Sequence, residues 1–331
     1  MKASAPGKII LFGEHAVVYN RPALAVPVTQ IHVDVEVLDS SRAGIFINAP
    51  GIDLHAEINS LPADHPIASV ILKLFTPPFS SPHFLDEKMG RQRGVEISIA
   101  STIPVASGLG SGAAVSVALI RALTSFLSSR TSGQRSHPLS DDEVNLLAYE
   151  TEKLHHGTPS GIDNTVITYN KPVYFIKGQP IEIFKVGKPF TIVIGDTGIS
   201  APTRESVNDV RLLWLRDTVT FENYFNEIAQ IALIARRSIE HGKPELLGEL
   251  MDQNHALLQS LTVSSPELDK LVEAARNAGA LGAKLSGGGR GGNMIALVEQ
   301  ANSESVAEAL MSAGAKKTII TEINQERAPQ G

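Results

Sequence analysis

Hydrophobic and polar residues alternate along parts of the first hundred positions in the manner of β-strands. IHVDVEVL (31–38) places an apolar side chain at every second position, GIFIN (44–48) follows after a turn, and VEISIAST (95–102) alternates again. Successive side chains of a strand point to opposite faces of a sheet, so this pattern predicts strands with one buried face. The apolar run HPIASVILKLF (65–75) instead predicts a short helix.

The next part of the chain predicts two helices separated by loops. The segments 76–94 and 128–138 are rich in loop-forming residues, and an apolar helix lies between them and ends near Leu127. Ser140 and Glu143 form the capping-box pattern that starts the following helix.

A different pattern follows this second helix. Gly157 stands where a C-terminal cap belongs, and NTVITY (164–169) and PVYFI (172–176) predict strands. Beyond residue 190 the pattern predicts long helices at 218–241, 244–260 and 266–278, the last starting at Ser265-Pro266, with strands at MIALV and TIITEI. The change from strands to helices near residue 187 predicts two domains, 1–187 and 188–331.

Composition agrees with a two-domain globular protein. The chain has 331 residues, of which 43% are hydrophobic and 19% charged, and its net charge of −6 argues against a nucleic-acid partner. It has no cysteine, which excludes disulfides and thiolate sites. The N-terminus does not resemble a signal peptide, and the longest nearly apolar run, 113–120, is too short to cross a membrane. We therefore expect a cytoplasmic protein with no membrane partner.

The stretch IPVASGLGSGAAVSVALIRAL (103–123) leads a glycine-rich loop directly into a helix. A helix N-terminus offers unpaired N–H groups, and glycine lets the backbone approach a phosphate closely. No lysine follows the glycines, which excludes a Walker A loop, and the dinucleotide pattern of Gly108, Gly110 and Ala113 lacks the acidic residue that binds ribose. A glycine-rich helix start without a ligand is the alternative reading.

Two carboxylates near the middle of the chain could perform chemistry. Glu152 lies near the end of the capped helix, and Asp163 follows a Gly-Thr-Pro-Ser-Gly turn. One metal ligand and one acid/base group would suit these positions, whereas a solvated helix residue and a turn-capping aspartate are the simpler alternative. His155 and His156 are adjacent, so they do not share a helix face as a zinc pair would.

Two further segments carry unusual residues. Lys8, Glu14 and His15 interrupt an apolar, strand-like N-terminal segment, where the simplest expectation is exposure at a strand end. Five of the six residues at 287–292 are glycine, which suggests a second loop lining the site of a phosphorylated ligand, or else a plain flexible turn.

Taken together, these segments resemble the GHMP superfamily of small-molecule kinases. PGKIILFGEH, PVASGLGSGAA and KLSGGGRGG are three of its motifs in their expected order, and within it GEHAVVY, GTPSGIDN and GDTGISAPTRESVNDVR look like the mevalonate kinases. The resemblance implies an α+β, two-domain GHMP kinase-like fold with the active site in the cleft between domains. Domain 1–187 would bind ATP phosphates and hold the catalytic residues, and domain 188–331 would be ferredoxin-like and helix-rich.

The resemblance also implies roles for individual residues. Residues of the first glycine-rich loop would bind the ATP phosphates: Pro104, Ser107, Gly108, Leu109, Gly110, Ser111, Gly112 and Ala113. Mg²⁺ would be held by Ser111 and Glu152, and Asp163 and Lys8 would be catalytic, with Asp163 either a general base or an orienting group. The substrate would be bound by Lys8, Glu14, His15, Ser160, Gly161, Asp163, Thr203 and Gly288.

The implied reaction is ATP-dependent phosphorylation of the 5-hydroxyl of mevalonate, giving 5-phosphomevalonate and ADP. A related kinase acting on phosphomevalonate or another hydroxyl, and a ligand-sensing homologue without activity, stay as alternatives. A homodimer is left open. The chain departs from the usual motifs at Gly112, where a second serine is common, at Arg290, where glycine is usual, and at Asn293.

Overall fold

The computed structural model describes residues 1–62, 64–75, 94–104, 107–129, 139–156 and 160–324. Their packing forms two compact units, each assembled from separate stretches of sequence. Unit 1 consists of Met1–Gly7, Ile31–Pro104 and Gly110–Tyr169, and unit 2 of Lys8–Gln30, Val105–Leu109 and Asn170–Gly331. The functional division expected near residue 187 stays a prediction.

The first strands follow the alternation of the sequence. Their bounds are β1 Lys2–Phe12, β2 Ala23–Ser40, β3 Ile45–Ala49, β4 Leu54–Glu57 and β5 Gly94–Ser101. Within unit 1 the strand order is β4-β3-β5-β2, in which β3 and β5 are parallel and the other neighbours antiparallel. Val33, Val35 and Val37 of β2 are all buried, which confirms the predicted one-sided strand.

Four helices complete the described part of unit 1: α1 Pro66–Phe75, α2 Ser111–Ser128, α3 Asp141–His156 and α4 Ile162–Tyr169. The predicted capping box is confirmed, because the Ser140 N–H donates to Glu143 Oε2 at 2.9 Å and the Glu143 N–H donates to Ser140 Oγ at 3.3 Å. Several predicted features lie outside the described residues: the loop at 76–93, most of the loop at 128–138, the side chains of His155 and His156, and the cap at Gly157.

The predicted strand at 164–169 is wrong, because this segment forms helix α4. Its β-branched residues favour a strand locally, but α4 packs against α2 and α3 and buries Val166 and Ile167 there. The helix starts after a turn in which the Ile162 N–H donates to Ser160 Oγ at 3.4 Å. Tertiary packing therefore overrides intrinsic strand preference.

Helix α2 is long and apolar enough to meet the criterion for a membrane span, and it alone does so among the helices that the structure describes. More than half of it is buried in the protein, and it packs against α1, α3 and α4. A central helix of a folded core meets the same criterion.

The remaining elements belong to unit 2. The strands are β6 Val173–Phe175, β7 Glu182–Ile183, β8 Phe190–Asp196, β9 Gly282–Ser286, β10 Asn293–Val298 and β11 Lys317–Ile323. The helices are α5 Thr203–Arg216, α6 Thr218–Glu240, α7 Leu247–Ser260, α8 Pro266–Asn277 and α9 Ser303–Ala313. The three predicted long helices and the predicted strands β6, β10 and β11 are confirmed, whereas α5, α9, β7, β8 and β9 were not predicted.

Unit 2 is built on a four-stranded antiparallel sheet with the order β11-β8-β10-β9. Helices α7, α8 and α9 pack against it, and their apolar residues form one core with the sheet and with α6, centred on Phe225, Val193 and Leu285. Ser265 caps α8 as predicted by accepting the Leu268 N–H at 3.3 Å. An antiparallel sheet covered by helices is an α+β arrangement, as expected.

Candidate active site

Lys8 is connected inside unit 2 to Leu109, a residue of the first glycine loop (residues 104–113). Lys8 lies on β1 and only 4% of it is exposed, so the expectation of an exposed strand end is wrong. Its backbone N–H donates to the carbonyl oxygen of Leu109 at 3.0 Å, and Leu109 is itself buried. Leu109 is therefore fixed against β1 beside the lysine.

Asn293 holds the same loop from another direction. It is buried at the start of β10, and its Nδ2 donates to the carbonyl oxygen of Ser107. Gly108 follows with a φ of +78°, a left-handed conformation that favours glycine. The departure from the usual motif at Asn293 therefore has a structural role, in that it fixes the backbone of the loop.

Glu14 is fully buried in a polar cluster of unit 2. Its Oε1 pairs with the ammonium of Lys284, and its Oε2 accepts from Asn254 Nδ2 at 3.3 Å. The Lys284 ammonium also donates to the Leu285 carbonyl oxygen at 2.6 Å. Burial lowers the pKa of Lys284, and the neighbouring Glu14 carboxylate opposes this shift. Both oxygens of Glu14 therefore have protein partners.

His15 follows in an unusual backbone conformation, with a φ of +59°. Its Nε2 lies 3.0 Å from the carbonyl oxygen of Gly288, and its buried Nδ1 has no hydrogen-bond partner among the residues that the structure describes. The pKa of His15 is lowered to about 4, mainly by burial; the hydrogen bond to Gly288 opposes this shift, and the charge of Arg290 contributes to it. His15 is therefore neutral at pH 7, with the Nε2 proton donated to Gly288 and Nδ1 left as an acceptor.

The second glycine loop (residues 287–292) packs closely against its neighbours. A Cβ atom added to Gly288 would lie 2.8 Å from Thr203 Oγ1, at the start of α5. One added to Gly289 would lie 1.9 Å from the Val263 carbonyl oxygen. His15, Gly288 and Thr203 are thus brought together, and the glycines allow that approach.

Unit 1 brings a separate set of predicted residues together. Gly110 has a φ of +78° and precedes Ser111, the first residue of α2, and no side chain caps this helix start. A Cβ atom added to Gly112 would lie 3.6 Å from Glu152 Oε1 on α3. Glu152 is buried, with 8% of the residue exposed, and its carboxylate lies beside the first turn of α2. The alternative of a solvated Glu152 is wrong.

Asp163 lies in the first turn of α4 and is half-buried. The turn before it contains Gly161, with a φ of +88°, and the Gly161 carbonyl oxygen accepts from Thr165 Oγ1 at 2.7 Å. Asp163 thus lies in a short helix whose first turn carries a side-chain hydrogen bond of its own. Pro104, half-buried after β5, and Ala113, buried in α2, complete the predicted residues.

Sequence reasoning missed Lys284 and Asn254, the partners of Glu14. A lysine within GAKLS, a short apolar segment between glycines, is the signal that could have revealed a buried charge. Its partner could not be found this way, because Glu14 and Lys284 are 270 positions apart in the chain.

Two family models match the chain. That of the GHMP kinases N terminal domain matches residues 80–171, and that of the GHMP kinases C terminal domain matches residues 235–316. The two matches fall on the segments that contain the first glycine loop with both carboxylates, and the second glycine loop.

Individual relatives are similar over almost the whole chain. The mevalonate kinase of Thermococcus sibiricus is 38% identical over 98% of this chain and 96% of its own length, and that of Pyrococcus furiosus is 36% identical over the same shares. The crystal structure of L. major mevalonate kinase in complex with R-mevalonate matches with a TM-score of 0.81 and 28% identity, covering 99% of this chain and 97% of that one. The chain therefore belongs to the GHMP kinases and, within them, to the mevalonate kinase family.

Proposed function

We propose that the chain transfers the γ-phosphoryl group of ATP to the 5-hydroxyl of mevalonate, giving 5-phosphomevalonate and ADP. The observation that carries this proposal is the similarity to mevalonate kinases over 98% of the chain, with both candidate carboxylates present. The substrate is a small molecule, and the working compartment that we propose is the cytoplasm.

The ATP phosphates are bound by the first glycine loop and the start of α2. The helix has 18 residues and, among the described residues, no side chain caps its first turn, so its N–H groups and its dipole favour an anion there. Gly108 and Gly110 both have positive φ values, which directs the loop backbone into a conformation that a side-chain-bearing residue adopts only at a cost. Ser107 and Leu109 are fixed by Asn293 and Lys8, so this binding surface is preorganised.

The residues present fit Mg²⁺ as the ion that accompanies ATP. Mg²⁺ takes one or two protein oxygens and completes its shell with phosphate oxygens and water. The Glu152 carboxylate beside the first turn of α2, where Ser111 begins the helix, supplies such oxygens. When bound, Mg²⁺ offsets negative charge on the phosphates.

Asp163 and Lys8 act on the transferring group. Phosphoryl transfer needs little covalent chemistry from the protein, but it needs the attacking oxygen aligned and the spreading charge offset. Asp163 accepts or orients the hydroxyl proton of the substrate, and Lys8 supplies a positive charge to the phosphoryl oxygens. The rigid settings of the two residues, in a short helix and in a buried strand, suit these tasks.

The resemblance assigns the substrate side to His15, Thr203, Gly288 and the Ser160-Gly161 turn. A neutral His15 with an acceptor at Nδ1 fits a donor such as an alcohol hydroxyl. Glu14 contributes to this side indirectly, since its carboxylate is occupied by Lys284 and Asn254 and therefore fixes the backbone that presents His15.

An ADP-release assay with a panel of alcohols tests the proposed function. The purified chain is supplied with ATP, Mg²⁺ and, in turn, mevalonate, phosphomevalonate, homoserine and galactose. We expect mevalonate to give a kcat/KM at least about 100-fold above the others, since a site built to hydrogen-bond one substrate rejects analogues that lack its groups. Comparable turnover of another alcohol, or none of any, would refute the proposal.

A further inference from the structure

Arg290 is the single non-glycine residue in the second glycine loop, and its backbone has a φ of +59°. This left-handed conformation costs an arginine more free energy than it costs a glycine. Five neighbouring positions in the loop avoid that cost. An arginine that occupies a glycine-like conformation needs a compensating contact, and the structure contains one.

The contact is an ion pair within unit 2. An Arg290 Nη1–H donates to Oδ2 of Asp209, in the middle of α5, while the Arg290 backbone N–H donates to the Val263 carbonyl oxygen at 2.8 Å. Arg290 therefore connects α5 to the second glycine loop, and connects that loop to the turn that precedes α8.

Helix α5 carries a residue of the substrate side at its first position. Thr203 starts α5 and lies against Gly288, whose carbonyl oxygen is bonded to His15. The Arg290–Asp209 pair joins the same loop to the same helix, two residues after Gly288 and six after Thr203. The positive charge of Arg290 also acts on His15, where it favours the neutral imidazole. The Arg290 side chain thus affects Thr203, Gly288 and His15.

We propose that Arg290 is a positioning residue, which through Asp209 holds α5 and therefore Thr203 against the second glycine loop in the geometry that binds the alcohol substrate. The inference rests on the proposed function for the identity of that substrate. Because Arg290 acts through α5, its replacement should weaken the affinity for mevalonate and leave the rate of phosphoryl transfer unchanged.

Steady-state kinetics of Asp209→Asn, Arg290→Ala and the double variant test this inference. Each single change should raise the KM for mevalonate about fivefold, the factor equivalent to about 1 kcal/mol from a half-exposed ion pair, and leave kcat and the KM for ATP within about twofold. The double variant should be no worse than the singles, because both remove the same contact. An unchanged KM for mevalonate, an equal rise in the KM for ATP, or additive effects would overturn it.

Arg290→Gly separates positioning from simple stabilisation. Glycine relieves the left-handed backbone but removes the ion pair, so Tm should stay the same or rise while the KM for mevalonate still rises. A fall in Tm together with an unchanged KM would show a merely structural role. Glu182→Gln is the matched control, because it breaks a comparable half-exposed ion pair with Arg236 elsewhere in unit 2 and should leave both KM values unchanged.

Trp214 gives a readout that does not depend on which alcohol is phosphorylated. It is the single tryptophan of the chain and lies on α5, where its Nε1–H donates to Glu222 Oε1 at 3.0 Å. Loosening α5 should increase acrylamide quenching of its fluorescence in Asp209→Asn and Arg290→Ala, but not in Glu182→Gln. Unchanged quenching would overturn the inference, whereas absence of mevalonate turnover in the unmodified chain would overturn the proposed function alone.

Discussion

Asp163 and Asp141 occupy equivalent places in two helices of unit 1, since each lies in a first turn. Asp141 pairs with Arg121, whereas Asp163 follows a glycine turn that the resemblance assigns to the substrate. This similarity of setting makes the two residues a matched pair for separating a catalytic effect from a helix effect.

Asp163→Asn should lower kcat about 10²- to 10⁴-fold, the usual contribution of a positioned acid/base group. An amide keeps the size of the carboxylate but neither accepts a proton nor carries its charge. Asp141→Asn should stay within about twofold of the unmodified chain in the same ADP-release assay. If both variants lose activity equally, or if Asp163→Asn retains it, the assigned role of Asp163 is incorrect.

The buried polar and charged residues show what can and cannot be predicted from single positions of the sequence. Lys8, Glu14 and His15 stood out because they interrupt an apolar segment, and all three are buried. The sequence could identify them as unusual, because burying an unpartnered charge is costly. It could not show that Glu14 is held by Asn254, 240 positions away, because such pairs depend on tertiary packing.

At the scale of elements, two positions of the second glycine loop predict different costs for the same change. Gly287 has a φ of +93° and nothing within 4 Å of an added Cβ, whereas at Gly289 the added atom would lie 1.9 Å from the Val263 carbonyl oxygen. Gly287→Ala should therefore suffer only from its backbone conformation, and Gly289→Ala from a backbone clash as well.

Gly287→Ala should lower the free energy of unfolding by about 1–2 kcal/mol, and Gly289→Ala by at least about 3 kcal/mol. Urea unfolding followed by Trp214 fluorescence measures both, because the tryptophan belongs to the same unit. Equal losses would show that the loop relaxes away from Val263 and that its close packing does not stabilise the protein.

Elements with strong local signals were predicted well, and elements fixed by their neighbours were not. The capping box at Ser140 and the Ser265-Pro266 start rest on contacts three residues apart, so both were visible in the sequence. The segment of α4 was predicted as a strand; its four successive β-branched residues, 165–168, favour a strand locally, and only its packing against α2 and α3 makes it a helix. Helix α5 was missed, since only Ser206 and Val210 of its residues are buried.

At the scale of the whole molecule, two buried histidines should make stability depend on pH. Burial lowers the pKa of both His15 and His255 to about 4, and at His255 the neighbouring Asp269 opposes the shift. In the unfolded chain a histidine titrates near pH 6.5. Between these values the unfolded state binds more protons, so stability is full above about pH 6.5 and falls as the pH drops towards 4.

Each histidine should contribute roughly 2 kcal/mol to the loss of unfolding free energy between pH 7.5 and pH 5. His255→Gln should be less stable at pH 7.5, because the Leu285 N–H loses its acceptor at Nδ1, but its pH-dependent loss should be about 2 kcal/mol smaller. The exposed His55→Gln serves as control and should keep the original pH dependence. A His255→Gln variant with an unaltered pH dependence would contradict this explanation.

The ³¹P spectrum of the reaction product is the most direct test of whether the molecule phosphorylates the 5-hydroxyl of mevalonate. A phosphate on the primary 5-hydroxyl couples to the two protons of the adjacent methylene and gives a triplet, whereas a phosphate on the tertiary 3-hydroxyl has no such protons and gives a singlet. We expect the triplet, formed with one ADP per product. A singlet, or ADP released without any new phosphate ester, would contradict it.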